Sequence, residues 1–329
     1  MRKILLSLLM IFTVCISGCS VGAGSVVTYH NNDINNETSE AVKILDDKVL
    51  ESLKKNEEDK ILEISSEVFK KDSGKLKEML GSINEVVKDK TFDYKDRYYC
   101  KISKVGKYNF TIGSPKEDPF YINLAAVSKE IYVSLIKSSS DICDYMLSLV
   151  YIKEKGEWKL YEMSFGDYSY GGMAPIDLYN KAISLDKNGY KVPAALYSVL
   201  SNRTLHPAPF LQYKKEKEIT DYSKKLLKKL NDAYVFPKKL ENTKNIKIQG
   251  FDVRYVKEGV IPVVKYITDT GLSNQEDLIK EANAMNNEVT GLYTGMKESF
   301  KYVLYEAYSE PPVDPKITYK CYRTIVEQK

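Results

Sequence analysis

The spacing of apolar residues changes several times along this chain, and each change predicts a different element. Over Ile4 to Ile16 they run almost unbroken, a stretch of 13 positions. A membrane-spanning helix needs roughly 20 residues, so the run is too short to cross a bilayer. Between residues 20 and 40 the chain is rich in Gly, Ser and Asn and lacks periodicity, which predicts a flexible leash. From Ala41, the residues Val42, Leu45, Val49, Leu50 and Leu53 recur at intervals that hold one face of a helix. Ile61, Ile64, Val68 and Phe69 form a second such run, and Leu76, Met79, Leu80, Ile83, Val86 and Val87 a third. Asp72-Ser73-Gly74 breaks the chain between them, so helices precede any strand.

The texture then turns to alternating aromatic and β-branched residues, predicting strands over 92–103, 108–112, 130–138, 143–153 and 157–165. Gly156 suits the tight turn of a hairpin that would place Trp158 and Leu160 on one side. Beyond a Gly- and Tyr-rich break at 167–173, Pro175 opens a helix that Asn188-Gly189 stops. A second helix runs from Pro193 through Leu200, completing a helical hairpin, and His206-Pro-Ala-Pro-Phe210 forms an extended connector. A lysine-rich helix over 214–234 follows, with Ile219, Tyr222, Leu226 and Leu230 as its apolar stripe. Strands at 246–256, 260–268, 302–308 and 317–325 around a helix at 274–288 predict a second small α+β unit.

Helices followed by a meander that closes on Lys153-Glu-Lys-Gly156-Glu-Trp158-Lys-Leu160 resemble the NTF2-like and cystatin-like superfamilies, over residues 41–167. The resemblance implies a curved antiparallel sheet wrapped around a helix, with a pocket at its open end. It carries no active-site residue onto this chain. The expected fold class is therefore α+β, with a signal segment at 1–18 and a linker at 19–40. An NTF2/cystatin-like domain follows at 41–170, a helical hairpin with its connector at 171–210, and a C-terminal α+β domain at 211–329.

The N-terminal chemistry assigns the compartment. Arg2 and Lys3, the apolar run and the small pair Ser17-Gly18 have the layout of an export signal. Ile16-Ser17-Gly18-Cys19 resembles a bacterial lipobox, which implies cleavage between Gly18 and Cys19 and a diacylglyceryl thioether on Cys19. Two or three acyl chains, at ~0.8 kcal/mol per buried methylene, make release from the bilayer negligible. The expected location is the extracytoplasmic face of a cell membrane. A bias toward Lys, Asn, Ile and Tyr suggests a Gram-positive host.

Composition removes further partners. The formal net charge of +4 drops by two once Arg2 and Lys3 leave, so nothing argues for nucleic acid. Arg2, Arg97, Arg203, Arg254 and Arg323 are the only arginines among 49 basic residues, and lysine is the weaker bidentate binder.

Candidate chemistry is sparse. His30 lies in the expected leash and His206 in the connector, which disfavours histidine-dependent hydrolysis and histidine-rich metal sites. Asp72-Ser73-Gly74 and Asp269-Thr270-Gly271 read as turns, not as an aspartic-protease pair. Ser134-x-x-Lys137 lacks the boxes that accompany that pattern in penicillin-recognising enzymes, and no phosphate-binding glycine loop is present. Cys100 and Cys143 fit either a bridge between strands or two buried free thiols; Cys321 is left over.

Acidic pairs such as Asp46-Asp47 and Glu57-Glu58 are expected on solvated helix faces. Glycoside hydrolysis would need two carboxyls across a cleft, one of them in an apolar pocket. The lysines of 214–229 read as a solvated face balanced by Glu216, Glu218 and Asp221, with an anionic lipid or polymer surface as the other reading. Tyr161, Tyr168, Tyr170, Tyr179 and Tyr190 offer a sugar-stacking group, although tyrosine is also a good strand residue. The expectation is a non-enzymatic envelope binding module without catalytic residue, metal or cofactor, tethered to the bilayer through Cys19. Its ligand would be an envelope protein, a glycan or a small molecule. A carboxylate-dependent wall hydrolase and a structural lipoprotein are the alternatives.

Overall fold

The computed structural model describes residues 24–113, 120–140, 142–243, 246–314 and 316–328. The export signal, its Gly18–Cys19 cleavage site and the lipidation site Cys19 lie outside them. The chain divides into two compact units, one of Met1–Gly172 with Thr204–Lys214 and one of Met173–Arg203 with Lys215–Lys329. Both mix helices with sheets that are mostly antiparallel, as the α+β expectation requires.

In the first unit, β1 (Val26–His30) precedes the helices α1 (Asn36–Lys55), α2 (Glu58–Glu63), α3 (Glu67–Lys71) and α4 (Leu76–Val87). Then come β2 (Phe92–Ile102), β3 (Asn109–Ile112), β4 (Phe120–Ala125), β5 (Glu130–Ser138), β6 (Cys143–Glu154) and β7 (Glu157–Tyr170), and later β8 (Leu211–Tyr213). One sheet has the order β1-β2-β5-β6-β7 and is antiparallel throughout; a second has the order β3-β4-β8.

The helices bury Val42, Val49, Leu53, Ile61, Leu80, Ile83 and Val87 against Tyr99, Tyr132, Leu147, Leu149, Tyr151 and Leu160 of the first sheet. Asn35 caps α1 by accepting from the Thr38 N–H at 2.9 Å, and Asn56 ends it in a left-handed conformation at φ 58°. The β6–β7 turn forms as expected, with Gly156 at φ 89°. Trp158 sits edge-on to the rings of Tyr99 and Tyr132 at 6.0 and 6.1 Å.

Two expectations change here. The leash is shorter, because Val26 to His30 pair with Ile102 to Tyr98 and α1 starts at Asn36. Backbone groups along that edge of β2 need partners, and Val26, Val27, Thr28 and Tyr29 are good strand residues inside an otherwise loop-like composition. The second helical run is two short helices. Ser65 turns its hydroxyl back to the Ile61 carbonyl at 2.7 Å and Ser66 caps Phe69, while the Leu160 N–H donates to the Ile64 carbonyl and the Leu160 carbonyl accepts from the Ser66 N–H.

In the second unit, α5 (Pro175–Lys187), α6 (Lys191–Arg203) and α7 (Glu216–Ala233) precede β9 (Lys238–Lys239), β10 (Lys247–Val256) and β11 (Gly259–Ile267). α8 (Gln275–Leu292), α9 (Met296–Ser299), β12 (Tyr302–Tyr308) and β13 (Tyr322–Glu327) complete it. The sheet order is β13-β12-β11-β10-β9, and β11 pairs with β12 in parallel across the α8 crossover. Central β11 is buried along both faces, which explains its continuous apolar run at Val260, Ile261, Val263 and Val264. The helical hairpin falls within this unit, where α6 packs on both α5 and α7.

Candidate functional sites

Asp46 lies on the apolar face of α1, four residues after Val42 and three before Val49, and is 1% exposed. Its Oδ1 accepts from the Tyr151 hydroxyl at 2.8 Å. Its Oδ2 accepts from Tyr94 at 2.9 Å and from Ser134 at 2.7 Å. Burial pushes the carboxyl up to about 6, and the bonds from Ser134, Tyr151 and Tyr94 pull only part of the way back. This corrects the solvated-face expectation for the Asp46-Asp47 pair at its first member. Ser134 and Tyr151 are themselves fully buried while Tyr94 is 37% exposed, and the carboxyl held by all three pins α1 to the sheet.

A second carboxyl, Glu162 on β7, is pushed up to about 7 by burial alone. Its neighbour Met163 belongs to the helix-side core, so Glu162 faces the opposite side of the sheet from Asp46. A sheet between two carboxyls is not the shared cleft that glycoside hydrolysis needs.

The second unit holds an open concavity instead. Val192, Ala195, Leu196 and Val199 of α6 form one wall, and Leu227, Leu230 and Asn231 of α7 another. Tyr234, Phe236 and Phe251 close the end in a volume of about 130 Å³. The rings behind it are arranged edge to face, with Phe251 at 4.7 Å from Tyr293 and 5.9 Å from Phe236, and Tyr234 at 5.0 Å from Tyr293. Asp252 lines the cleft while tied to Arg203 at 2.8 Å and Lys265 at 3.4 Å. Burial raises its pKa, but Arg203, the Val253 N–H and Lys265 outweigh that and hold it below the usual carboxylate value. A comparable apolar cavity of ~150 Å³ holds benzene, so this cleft has room for one ring or a short branched chain.

The other sequence candidates are placed as follows. His30 ends β1, stacked on Tyr98 at 4.6 Å with Nε2 at 3.0 Å from Asp96, so it is a strand residue and not part of a leash. His206 is exposed in the connector, and Asp72 and Asp269 are exposed in turns. The Ser134 hydroxyl serves Asp46 while the Lys137 ammonium pairs with Asp144, so the two do not act together. Cys100, Cys143 and Cys321 are free thiols, the first pushed up to about 11 by burial.

The tyrosine group divides between the two units, and Tyr170 and Tyr179 are buried with their hydroxyls on Asp167 and Glu218. Among the described residues, no group of His, Cys, Asp and Glu is arranged to hold a metal ion, and no helix is long and apolar enough to cross a membrane.

The sequence reading missed both sites. Asp46 was signalled by its place inside the Val42–Val49 stripe, and the cleft only by the apolar Tyr234-Val-Phe236 run that follows an amphipathic helix. Comparison with protein-family models, curated proteins and solved structures gives no match for this chain.

Proposed function

We propose that this chain is a lipid-anchored, extracytoplasmic binding module whose second unit takes a ring-sized apolar group into the α6–α7–β10 cleft. The cleft carries the reading, because it combines apolar walls and an aromatic floor with the Asn231 carboxamide to orient what enters. Anchoring through Cys19 after cleavage beyond Gly18 follows from the lipobox resemblance. An NTF2-like assignment for the first unit is supported by the helices on one face of the β1-β2-β5-β6-β7 sheet. In that arrangement the first unit is scaffold, since its buried carboxyl is occupied by three hydroxyl partners of its own unit.

The test is a thermal-shift titration of the full chain with toluene, indole and cyclohexanol, against Val199→Phe, which fills the cleft. A probe at about 100 times its Kd should stabilise the chain by about 2.7 kcal/mol, and the filled variant should not respond. A chain indifferent to every probe sinks the cleft reading. Anchoring is checked separately: Cys19→Ala should abolish lipid labelling, and normal labelling of that variant would overturn it.

A further inference from the structure

The two edges of the second sheet are built differently. β9 is two residues long, Lys238 and Lys239, both exposed and directly after Pro237, so it offers another strand little to pair with. β13 runs for six residues, Tyr322 to Glu327, and carries neither lysine nor proline. Gln328 donates its N–H to the Lys301 carbonyl at 2.8 Å, one step beyond the Tyr302–Glu327 pair of the β12–β13 register. Hydrogen-bonded and non-hydrogen-bonded pairs alternate in an antiparallel ladder, so Val326, Thr324 and Tyr322 also turn their backbone groups to β12. The N–H and C=O groups of Arg323, Ile325 and Glu327 therefore face outward, and none has a hydrogen-bond partner among the described residues.

The side chains of the same three residues share one face of the sheet. Ile325 is 60% exposed beside its register partner Leu304, which is buried with Ile261 and Val263. Arg323 gives its Nε–H to Glu306, and its two Nη groups have no other partner among the described residues. Glu327 meets Lys301 at 3.5 Å, where both side chains are more than half exposed and water screens the pair.

We infer that β13 is a dimerisation edge, pairing antiparallel with β13 of a second copy of this chain about a two-fold axis at Ile325. A ladder forms only where outward-facing residues oppose one another. Centring on Ile325 sets Ile325 against its counterpart and Arg323 against Glu327 of the second copy, twice by symmetry. Centring on Arg323 or on Glu327 opposes like charges, and centring on Thr324 or Val326 sets Ile325 against an arginine or a glutamate. This self-complementarity at a single register selects a second copy over an unrelated strand. The two edges exchange about six backbone hydrogen bonds and join two five-stranded sheets into one. β13 lends no residue to the α6–α7–β10 cleft, so dimerisation and ligand binding fail separately.

The experiment is sedimentation velocity of the full chain in mild detergent. One short edge is a small contact, so a monomer–dimer equilibrium with a Kd on the order of 100 µM is expected. Ile325→Pro is the decisive variant. Residue 325 gives no N–H to β12, and proline is accepted on an edge strand whose N–H faces solvent, so the melting temperature should stay within a few degrees. The loss of one outward donor from each copy should weaken the dimer at least about 30-fold. Glu327→Arg leaves the backbone intact, sets arginine against arginine twice, and should weaken the dimer about tenfold.

A folded chain that stays monomeric up to about 1 mM, ten times the expected Kd, overturns the inference. A dimer indifferent to Ile325→Pro also overturns it, because its contact then lies elsewhere. A dimer weakened by Ile325→Pro but not by Glu327→Arg overturns the Ile325-centred register. Protection of the Arg323, Ile325 and Glu327 amides from hydrogen exchange that appears only when an envelope protein fraction is added would assign the edge to another protein's strand, and so overturns the second copy.

Discussion

Tyr151 on β6 donates its hydroxyl hydrogen to Asp46 Oδ1 at 2.8 Å across 105 residues of sequence, joining the first helix to an interior strand of the first sheet. The carboxyl is lifted from 3.8 to about 6, so the folded state holds its proton more tightly than the unfolded chain. A raised carboxyl contributes stability that is fully present below its unfolded pKa and is lost as pH rises through the folded one. Between about pH 4 and pH 6 this group should therefore cost the fold up to about 3 kcal/mol.

Asp46→Asn has no proton to lose there. Urea midpoints of the two proteins should diverge with pH, the unsubstituted chain losing ground to Asp46→Asn between pH 4 and pH 7. A difference that stays constant over that range contradicts the assignment. Tyr151→Phe removes a donor to the ionised form, and should cost about 1.5 to 3 kcal/mol at pH 7.

What could be read in advance follows the range of the forces involved. The strand at 130–138 and the hairpin through Gly156 rest on local alternation and turn chemistry, and both were predicted where they occur. β4 and β8 were not predicted. β8 is three residues long and exists because Leu211 to Tyr213 pair with Ile122 to Phe120, a contact that leaves no trace in local pattern. The burial of Asp46 was legible in principle from its phase within the α1 stripe. Identifying its hydroxyl partners required knowing that Tyr94, Ser134 and Tyr151 share one face of the sheet. The cleft was the least legible feature, since α6, α7 and β10 bring its walls together only in the folded unit.

Asn31 decides whether the start of the first unit is structure or leash. It sits at φ 46°, accepts from the Arg97 N–H at 2.8 Å and donates to Asp96 at 3.3 Å. Asn31→Ala loses both bonds and retains a left-handed residue that asparagine tolerates better, so a loss of about 2 to 3 kcal/mol is expected. Asn31→Gly should recover about 1 kcal/mol of that by relieving the backbone alone. Chemical denaturation measures both, and unchanged stability in Asn31→Ala would restore the leash.

Gly166 on β7 stands where the connector crosses it. An added Cβ would lie 2.8 Å from both the Cα and the carbonyl oxygen of Pro207, and these backbone atoms have no rotamer to move away into. Gly166→Ala should destabilise the first unit by about 1 to 3 kcal/mol. Pro207→Gly would keep the same backbone atoms and should give little relief. A thermal melt indistinguishable from the unsubstituted chain would show that the connector does not press on the strand.

Glu306 on β12 is 2% exposed and receives two guanidinium groups on one oxygen, Arg254 Nη2 at 2.6 Å and Arg323 Nε at 2.8 Å. Its other oxygen accepts from the Tyr308 hydroxyl at 2.8 Å. Arg323 is its register partner on β13, whereas Arg254 reaches it from β10. The Arg323 side chain is 45% exposed against 28% for Arg254, so solvent screens more of its attraction. Arg254→Met should therefore destabilise more than Arg323→Met, each by about 1 to 2 kcal/mol, because the remaining arginine still compensates the carboxylate. The double variant strands that carboxylate and should lose about 3 to 5 kcal/mol, more than the two single losses together. Adding Glu306→Gln to the double variant should recover part of the loss by removing the charge itself. Strictly additive single losses, or no recovery with Glu306→Gln, would mean that the carboxylate is solvated and the arginines act independently.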